Sequence, residues 1–342
     1  MLFIFDLMKI VVKVKNITLF LGTSVLIIGS AYLIHFLEPE EFETPFIGFW
    51  WVMTTVTTTG FGDFVPGTTA GRILALFLYI AGISLIGVII GKMVQSISLY
   101  QRMKEEGRLK FKGRQHFIVI GWSQKASKTI NEILLAKPDS KIVIIDLLPK
   151  APLIREEVHY IQGDATERDI LLKANICESD SVLIFAPDSI HDPMSIDGRS
   201  LLIASTIESL AAELNDDIYT IVEIIREKHI PNFKHAMVDE FVLSNEAFSD
   251  LMAKSALHKG STKLFMQLLS REHGDNVWEV NRKPEWSTYN DAYEGFKELG
   301  ANLISDRKDF GIVRKLDETI PEEARLYVIC DEDTYRKIKM NM

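Results

Sequence analysis

The sequence predicts a chain in two parts. A membrane α-helical module with two spans and a re-entrant loop is followed by a cytoplasmic, doubly wound α/β module with a smaller α+β lobe behind it. Three observations predict this. Residues 17–37 and 73–91 contain no Asp, Glu, Lys or Arg, and roughly 20 apolar residues cross a bilayer at helical rise. The connection between them is apolar and aromatic rather than plainly polar. Beyond residue 115, short apolar runs of strand character alternate with helical stretches, the pattern of a parallel sheet covered on both faces.

Composition limits what the chain can be. Its 342 residues are 47% hydrophobic and 25% charged, which excludes intrinsic disorder. The two cysteines, Cys177 and Cys330, are too few for a disulfide framework or a zinc site. Residues 1–115 hold 11 Lys/Arg against 8 Asp/Glu, a balance of +3, so the net charge of −9 leaves −12 on the remainder. Such an acidic remainder repels a phosphate backbone, and no nucleic acid partner is expected.

Charge also orients the spans. Lys9, Lys13 and Lys15 precede the first; Lys92, Arg102 and Lys104 follow the second; Glu38, Glu40, Glu41 and Glu43 lie between them. Positive residues stay inside, so both termini are expected in the cytoplasm. Residues 1–16 mix apolar residues with lysines and are read as an N-terminal interfacial segment or as an extension of the first span.

The connecting loop reads TPFIGFWWVMTTVTTTGFGDFVPGTTAG. Its first part, residues 44–57, is expected as a short helix opening on Thr-Pro. Non-helical backbone at membrane depth is tolerated only where protein buries it or it lines a wet cavity. A re-entrant helix followed by an extended segment meets that condition. The stretch Thr55-Val56-Thr57-Thr58-Thr59-Gly60-Phe61-Gly62-Asp63 resembles the potassium-channel filter signature T-x-x-T-x-G-Y-G-D. The resemblance implies K+ cages built from the carbonyls of Thr58, Thr59, Gly60 and Phe61, with Gly62 completing the strand. Asp63 would sit behind it, tied to Trp50 or Trp51. Stacked carbonyl rings replace the ion's hydration shell, and glycine permits the backbone angles that aim successive carbonyls inward. Thr59 stands where the family has valine and Phe61 where it has tyrosine. The Thr59 hydroxyl therefore needs a partner behind the filter, and selectivity for potassium over sodium turns on it.

The second span carries Gly82, Gly87 and Gly91. Gly82 stands where the inner helix of similar channels bends, which implies a gating hinge; close helix packing is the other reading of the same residue. The pore domain is thus expected over 17–99, with an outer helix at 17–37, a pore helix at 44–57, a filter at 58–63 and an inner helix at 72–99. A linker at 100–115 follows.

Strand runs at 116–121, 141–146, 159–163, 181–186 and 219–224, with a sixth at 239–244, are separated by helical stretches near 125–136, 168–174 and 201–214. The turn Gly121-Trp122-Ser123-Gln124-Lys125-Ala126-Ser127 keeps only the first glycine of G-x-G-x-x-G, and Asp146 ends the second strand. With Gly163-Asp164-Ala165-Thr166 after the third strand, this resembles the RCK (KTN) regulatory domain and its Rossmann-like lobe. The resemblance makes Gly121, Ser123, Asp146 and Asp164 the candidate residues for an adenine nucleotide or NAD. The lost glycines hinder a pyrophosphate's approach, and Ser123 and Ser127 partly compensate. In calcium-gated relatives carboxylates near the fourth and fifth strands hold Ca2+. Glu223 matches one such position, and Asp188 and Asp192 in the preceding loop are its candidate partners; that loop also reads as a solvated acidic turn.

The resemblance divides the remainder into an N-terminal lobe at 116–245, a subunit-pairing helix at 246–259 and a C-terminal lobe at 260–342. It implies a ligand-gated potassium channel in a bacterial or archaeal plasma membrane, not an enzyme. The pore would be a homotetramer in the lipid bilayer, with RCK dimers forming a gating ring that responds to a small molecule or ion. Met103 allows an internal start that supplies extra soluble RCK subunits. Two other readings remain: a membrane-anchored nucleotide-dependent oxidoreductase, which leaves the filter loop unexplained, and a non-selective cation channel.

Overall fold

The computed structural model describes residues 15–270 and 274–340. The interfacial segment expected at 1–16 lies almost wholly outside the described residues. The chain divides into two compact units, Met1–Met103 and Lys104–Met342.

In the first unit, α1 (Asn16–Leu37) and α3 (Thr69–Glu105) are long and apolar enough to cross a membrane, and the short α2 (Pro45–Val56) lies between them. Helix α2 starts as expected: Pro45 occupies its first turn and the Thr44 side chain accepts from the Ile47 amide at 3.3 Å. Gly48 lets α2 approach α1, since a Cβ there would lie 2.4 Å from the Ala31 carbonyl oxygen. Ile34, Phe42, Val52 and Leu78 form the fully buried centre of this unit. Phe20, Val25, Phe36 and Ile80 project outward, a surface suited to lipid or to further copies of the chain rather than to water.

Helix α3 departs from expectation at both ends. It begins at Thr69 rather than 72 and runs through Glu105, so residues 100–105, expected in a linker, are helical. No helix breaker interrupts Tyr100 to Glu106, and Gly107, at φ +65°, is the first residue suited to ending the helix.

In the second unit, six parallel strands are ordered β3-β2-β1-β4-β5-β6: β1 His116–Ile120, β2 Lys141–Asp146, β3 Val158–Gln162, β4 Ser179–Ile184, β5 Thr220–Ile224 and β6 Glu240–Leu243. Central positions such as Ile118, Val143 and Val182, which share a register across β2-β1-β4, are fully buried. Strands covered on both faces read as continuous apolar runs, which is why they were legible. Helices α4 (Gln124–Ala136), α5 (Arg168–Lys173) and α6 (Pro193–Leu214) connect them. Helix α6 starts at Pro193 rather than 201, because Asp192 caps it and Pro193 is favourable in a first turn.

Helices α7 (Ser244–Leu257) and α8 (Ser261–Leu269) bury no residue and expose Phe248, Met252, Leu257, Leu264, Met266 and Leu269. The last lobe is an antiparallel sheet ordered β7-β9-β8 (Asn276–Asn281, Arg325–Cys330, Asn302–Asp306) with α9 (Tyr289–Glu298) and α10 (Glu332–Met340). Trp278, Phe296, Leu326, Val328 and Ile338 form its core.

Candidate functional site

The re-entrant segment is organised by its backbone. Thr58, Gly60 and Gly62 have φ of +60°, +53° and +74°, while the intervening Thr59 and Phe61 are not in the left-handed region. A positive φ at every second residue turns successive peptide planes so that their carbonyls share one side, which ordinary extended backbone does not do. Glycine adopts this at little cost. Thr58 is β-branched and does so under strain, held by backbone bonds in which the amides of Thr58 and Thr59 donate to Thr55 O and Thr54 O.

Side chains behind the strand fix it to α2. Trp50 Nε1 donates to Asp63 Oδ2 at 2.8 Å, and the same indole stacks on Phe61 with centroids 5.8 Å apart and planes at 7°. Of the two tryptophans considered for Asp63, Trp50 makes the bond; Trp51 is buried against Phe42. The Thr59 hydroxyl lies 3.0 Å from Thr57 Oγ1, and Thr57 donates its own proton to Met53 O at 2.7 Å. Thr59 is therefore the donor of the pair, and the hydroxyl that valine would lack is satisfied.

The entry to α3 is held by a residue that sequence reasoning used only as a charge. Buried Glu38 accepts from the Gly67 amide at 2.9 Å, the Thr68 amide at 3.0 Å and the Thr68 hydroxyl at 2.6 Å. A carboxylate before the first turn of α3 complements its unpaired amides. A Cβ on Gly71 would lie 2.1 Å from Glu38 Oε1, so the glycine leaves room for this carboxylate. At Gly82, α3 is unbroken, and a Cβ would meet Val56 Cα at 3.0 Å; the contact is one of packing against the end of α2.

In the second unit the G-W-S turn joins β1 to α4. Gly121 has φ +87°, and a Cβ there would lie 2.6 Å from Phe185 O, so only glycine fits. Both oxygens of Asp146 are engaged, accepting from the Trp122 amide at 2.7 Å and the Leu148 amide at 3.1 Å. Ser123 is fully buried and caps α4, accepting from Ala126 N at 3.1 Å. Asp164 accepts from Thr166 N at 3.0 Å in a local turn before α5. The four nucleotide candidates thus all lie at or near the carboxyl ends of strands, yet the side chains of Ser123, Asp146 and Asp164 serve the turns themselves.

The three candidate calcium carboxylates have separate partners. Asp188 accepts from Gln124 N at 2.8 Å. Asp192 accepts from Ser195 N at 2.8 Å and Ser195 Oγ at 2.7 Å, which lowers its pKa. Glu223 is buried, pairs with Lys125 and accepts from Ala186 N at 3.0 Å. Among the described residues no group of three His, Cys, Asp or Glu is placed to hold a metal. Calcium needs six or more oxygens around it, and this arrangement does not fit that requirement. An Asp–His pair that the sequence did not single out closes the end of β5: buried Asp197 accepts from the Ile225 and Arg226 amides at 2.9 and 3.1 Å and pairs with His229 Nδ1 at 2.7 Å.

Residues 20–98 match the "Ion channel" family model and residues 117–244 the "TrkA-N domain" model. "Putative potassium channel protein YugO" of Bacillus subtilis is 34% identical over 228 residues, 66% of this chain and 68% of that protein. "Calcium-gated potassium channel TvoK" of Thermoplasma volcanium is 26% identical over 286 residues, 80% of each. The solved gating ring of human SLO3 superposes with a TM-score of 0.50 at 14% identity, over 66% of this chain and 46% of that one, a likeness of fold. The chain spans less than half of that solved protein. A pore domain with two apolar helices, a parallel-sheet RCK domain and this degree of identity place the chain in one family: it is a member of the prokaryotic potassium channels that carry an ion-channel domain ahead of a TrkA-N (RCK) domain.

Proposed function

We propose that four copies of the chain assemble around the strand from Thr58 to Asp63 and conduct K+ passively down its gradient in a prokaryotic plasma membrane, without catalytic turnover. The observation that supports this reading is the alternating positive φ at Thr58, Gly60 and Gly62, the backbone alternation that a row of like-facing carbonyls requires. Four such rows facing one axis make stacked oxygen cages. A concavity of about 350 Å3 lined by Thr54, Thr58, Gly60, Tyr79 and Ile83 lies beside the strand, and a neighbouring copy would fill it. Outward-facing apolar residues of α1 and α3 then meet lipid or further copies.

The RCK module is proposed to gate this pore as part of a ring, with the exposed apolar faces of α7 and α8 pairing subunits. A ligand opens or closes such a ring only through different affinities for its two states. The relative TvoK is named calcium-gated, but the separate engagement of Asp188, Asp192 and Glu223 favours no calcium step here. Potassium flux into liposomes holding the full-length protein, with barium as blocker and Gly60→Asp as the silenced control, tests the conduction reading. Flux that survives Gly60→Asp would overturn it.

A further inference from the structure

Three threonines, Thr57 to Thr59, join α2 to the re-entrant strand, and Thr57 closes the helix. Its amide donates to Met53 O at 3.0 Å, and its hydroxyl returns to the same carbonyl at 2.7 Å, with Thr54 O a longer second acceptor at 3.4 Å. With its proton placed there, the Thr57 oxygen is an acceptor for the Thr59 hydroxyl, 3.0 Å away. The hydroxyls thus form a short chain that runs from Thr59 through Thr57 to the last turn of α2.

The backbone at Thr59 is tied to the same turn. Thr54 O accepts the Thr59 amide at 2.9 Å and the Gly60 amide at 3.1 Å. In a trans peptide the N–H and C=O point in opposite directions, so the Thr58 and Thr59 carbonyls face away from Thr54. The Thr59 hydroxyl adds a third tie, and it is the one with an alternative. A threonine released from its acceptor can rotate about χ1 and donate to a backbone carbonyl close in sequence. In this strand those carbonyls are the oxygens that would face the ion.

We propose that Thr57 is a positioning residue for ion selection: its hydroxyl, fixed on Met53 O, keeps the Thr59 hydroxyl behind the strand and out of competition with K+ for the strand's carbonyls. The inference rests on the conduction reading and adds the side chain that lets threonine stand where the filter signature has valine. Thr57 and Thr59 are exposed in the single copy, where water can serve either hydroxyl. Closure of four copies around the strand withdraws that water. From then on Thr59 depends on Thr57, because a hydroxyl without an acceptor is costly away from water.

The test is the sodium-to-potassium permeability ratio of the full-length protein in planar bilayers, with K+ on one side and Na+ on the other. Thr57→Val keeps the shape of the side chain and removes the acceptor. Its ratio is expected to rise by about tenfold, the scale of one unmade hydrogen bond. Thr57→Ser, which keeps the hydroxyl, should retain selectivity. The deciding variant is Thr57→Val/Thr59→Val, in which neither hydroxyl is left to compete and selectivity should return. If Thr57→Val carries no current, the double variant should restore it. Thr57→Val as selective as the unsubstituted protein would overturn the proposal. So would a double variant no better than Thr57→Val alone, because Thr57 would then act by some route other than Thr59. An unsubstituted protein that passes Na+ and K+ equally contradicts the conduction reading, and the proposal falls with it.

Discussion

Trp50 and Asp63 are bonded across the back of the re-entrant strand, Nε1 to Oδ2 at 2.8 Å, and the same indole stacks on Phe61. One side chain of α2 thus holds two positions of the strand, one by a charge-assisted hydrogen bond and one by an aromatic face. Because Phe61 has no hydroxyl with which to tether itself, the stacking carries its placement. Trp50→Phe keeps an aromatic face and removes the donor. It is expected to leave the protein folded while shortening sustained potassium flux, read from the decay of flux in liposomes. Trp50→Ala, which removes both contacts, should be the more severe change.

Glu38 and Gly71 form a matched pair at the start of α3. Glu38→Ala leaves two backbone amides and a hydroxyl without their buried acceptor, a loss of roughly 3 kcal/mol. Gly71→Ala drives a methyl to 2.1 Å from Glu38 Oε1 and 2.8 Å from Pro66 Cβ, and is expected to destabilise by a similar route. Thermal unfolding of the purified full-length protein should show both substitutions lowering the midpoint.

Gly82 and Gly87 separate packing from bending. Ala at Gly82 meets Val56 Cα at 3.0 Å, whereas nothing lies within 4 Å of a Cβ at Gly87. Gly82→Ala should therefore cost about 1–3 kcal/mol through overpacking. Gly87→Ala should be neutral or slightly stabilising, by up to about 1 kcal/mol of helix propensity. The comparison is made on thermal midpoints together with single-channel open probability. A hinge at Gly82 would lower open probability with little change in midpoint.

Two histidines make the RCK unit sensitive to acid. Burial holds both His116 and His159 below the ordinary imidazole range, against the opposing effect of carbonyl bonds to Ala174 and Leu109. Each ring is held neutral in the fold and takes up a proton more readily once unfolded. Their contribution is therefore full above about pH 6.5 and is lost as pH falls from there towards the depressed folded values. The thermal midpoint of this unit within the full chain should decline over that window, and the double change His116→Asn/His159→Asn should flatten the slope.

What was legible in the residues follows from how local each signal is. Thr58 to Asp63 and the apolar runs of β1, β2 and β4 are contiguous, and their residue types state the backbone or burial they need. Element ends were less legible. Helix α3 passes through 100–105 because nothing there breaks it, and α6 begins eight residues early because Asp192-Pro193 is a cap. Least legible were pairings between distant positions. Glu38 with Gly67 and Thr68, Gln124 with Asp188, and Asp197 with His229 are 29 or more residues apart. An exposed-looking acid in a sequence does not announce which amide will take it. For that reason Asp188 and Glu223, grouped by resemblance around a cation, have separate partners in the fold.

The most direct measurement is the reversal potential of the reconstituted full-length protein with K+ on one side of the bilayer and Na+ on the other, compared with Thr59→Val. If the carbonyl row of Thr58, Thr59, Gly60 and Phe61 selects the ion, the reversal potential lies far towards the potassium equilibrium value. The Thr59 hydroxyl, already bonded to Thr57, then makes Thr59→Val nearly as selective. A reversal potential near zero in the unsubstituted protein would contradict potassium selection by this strand and leave a non-selective pore.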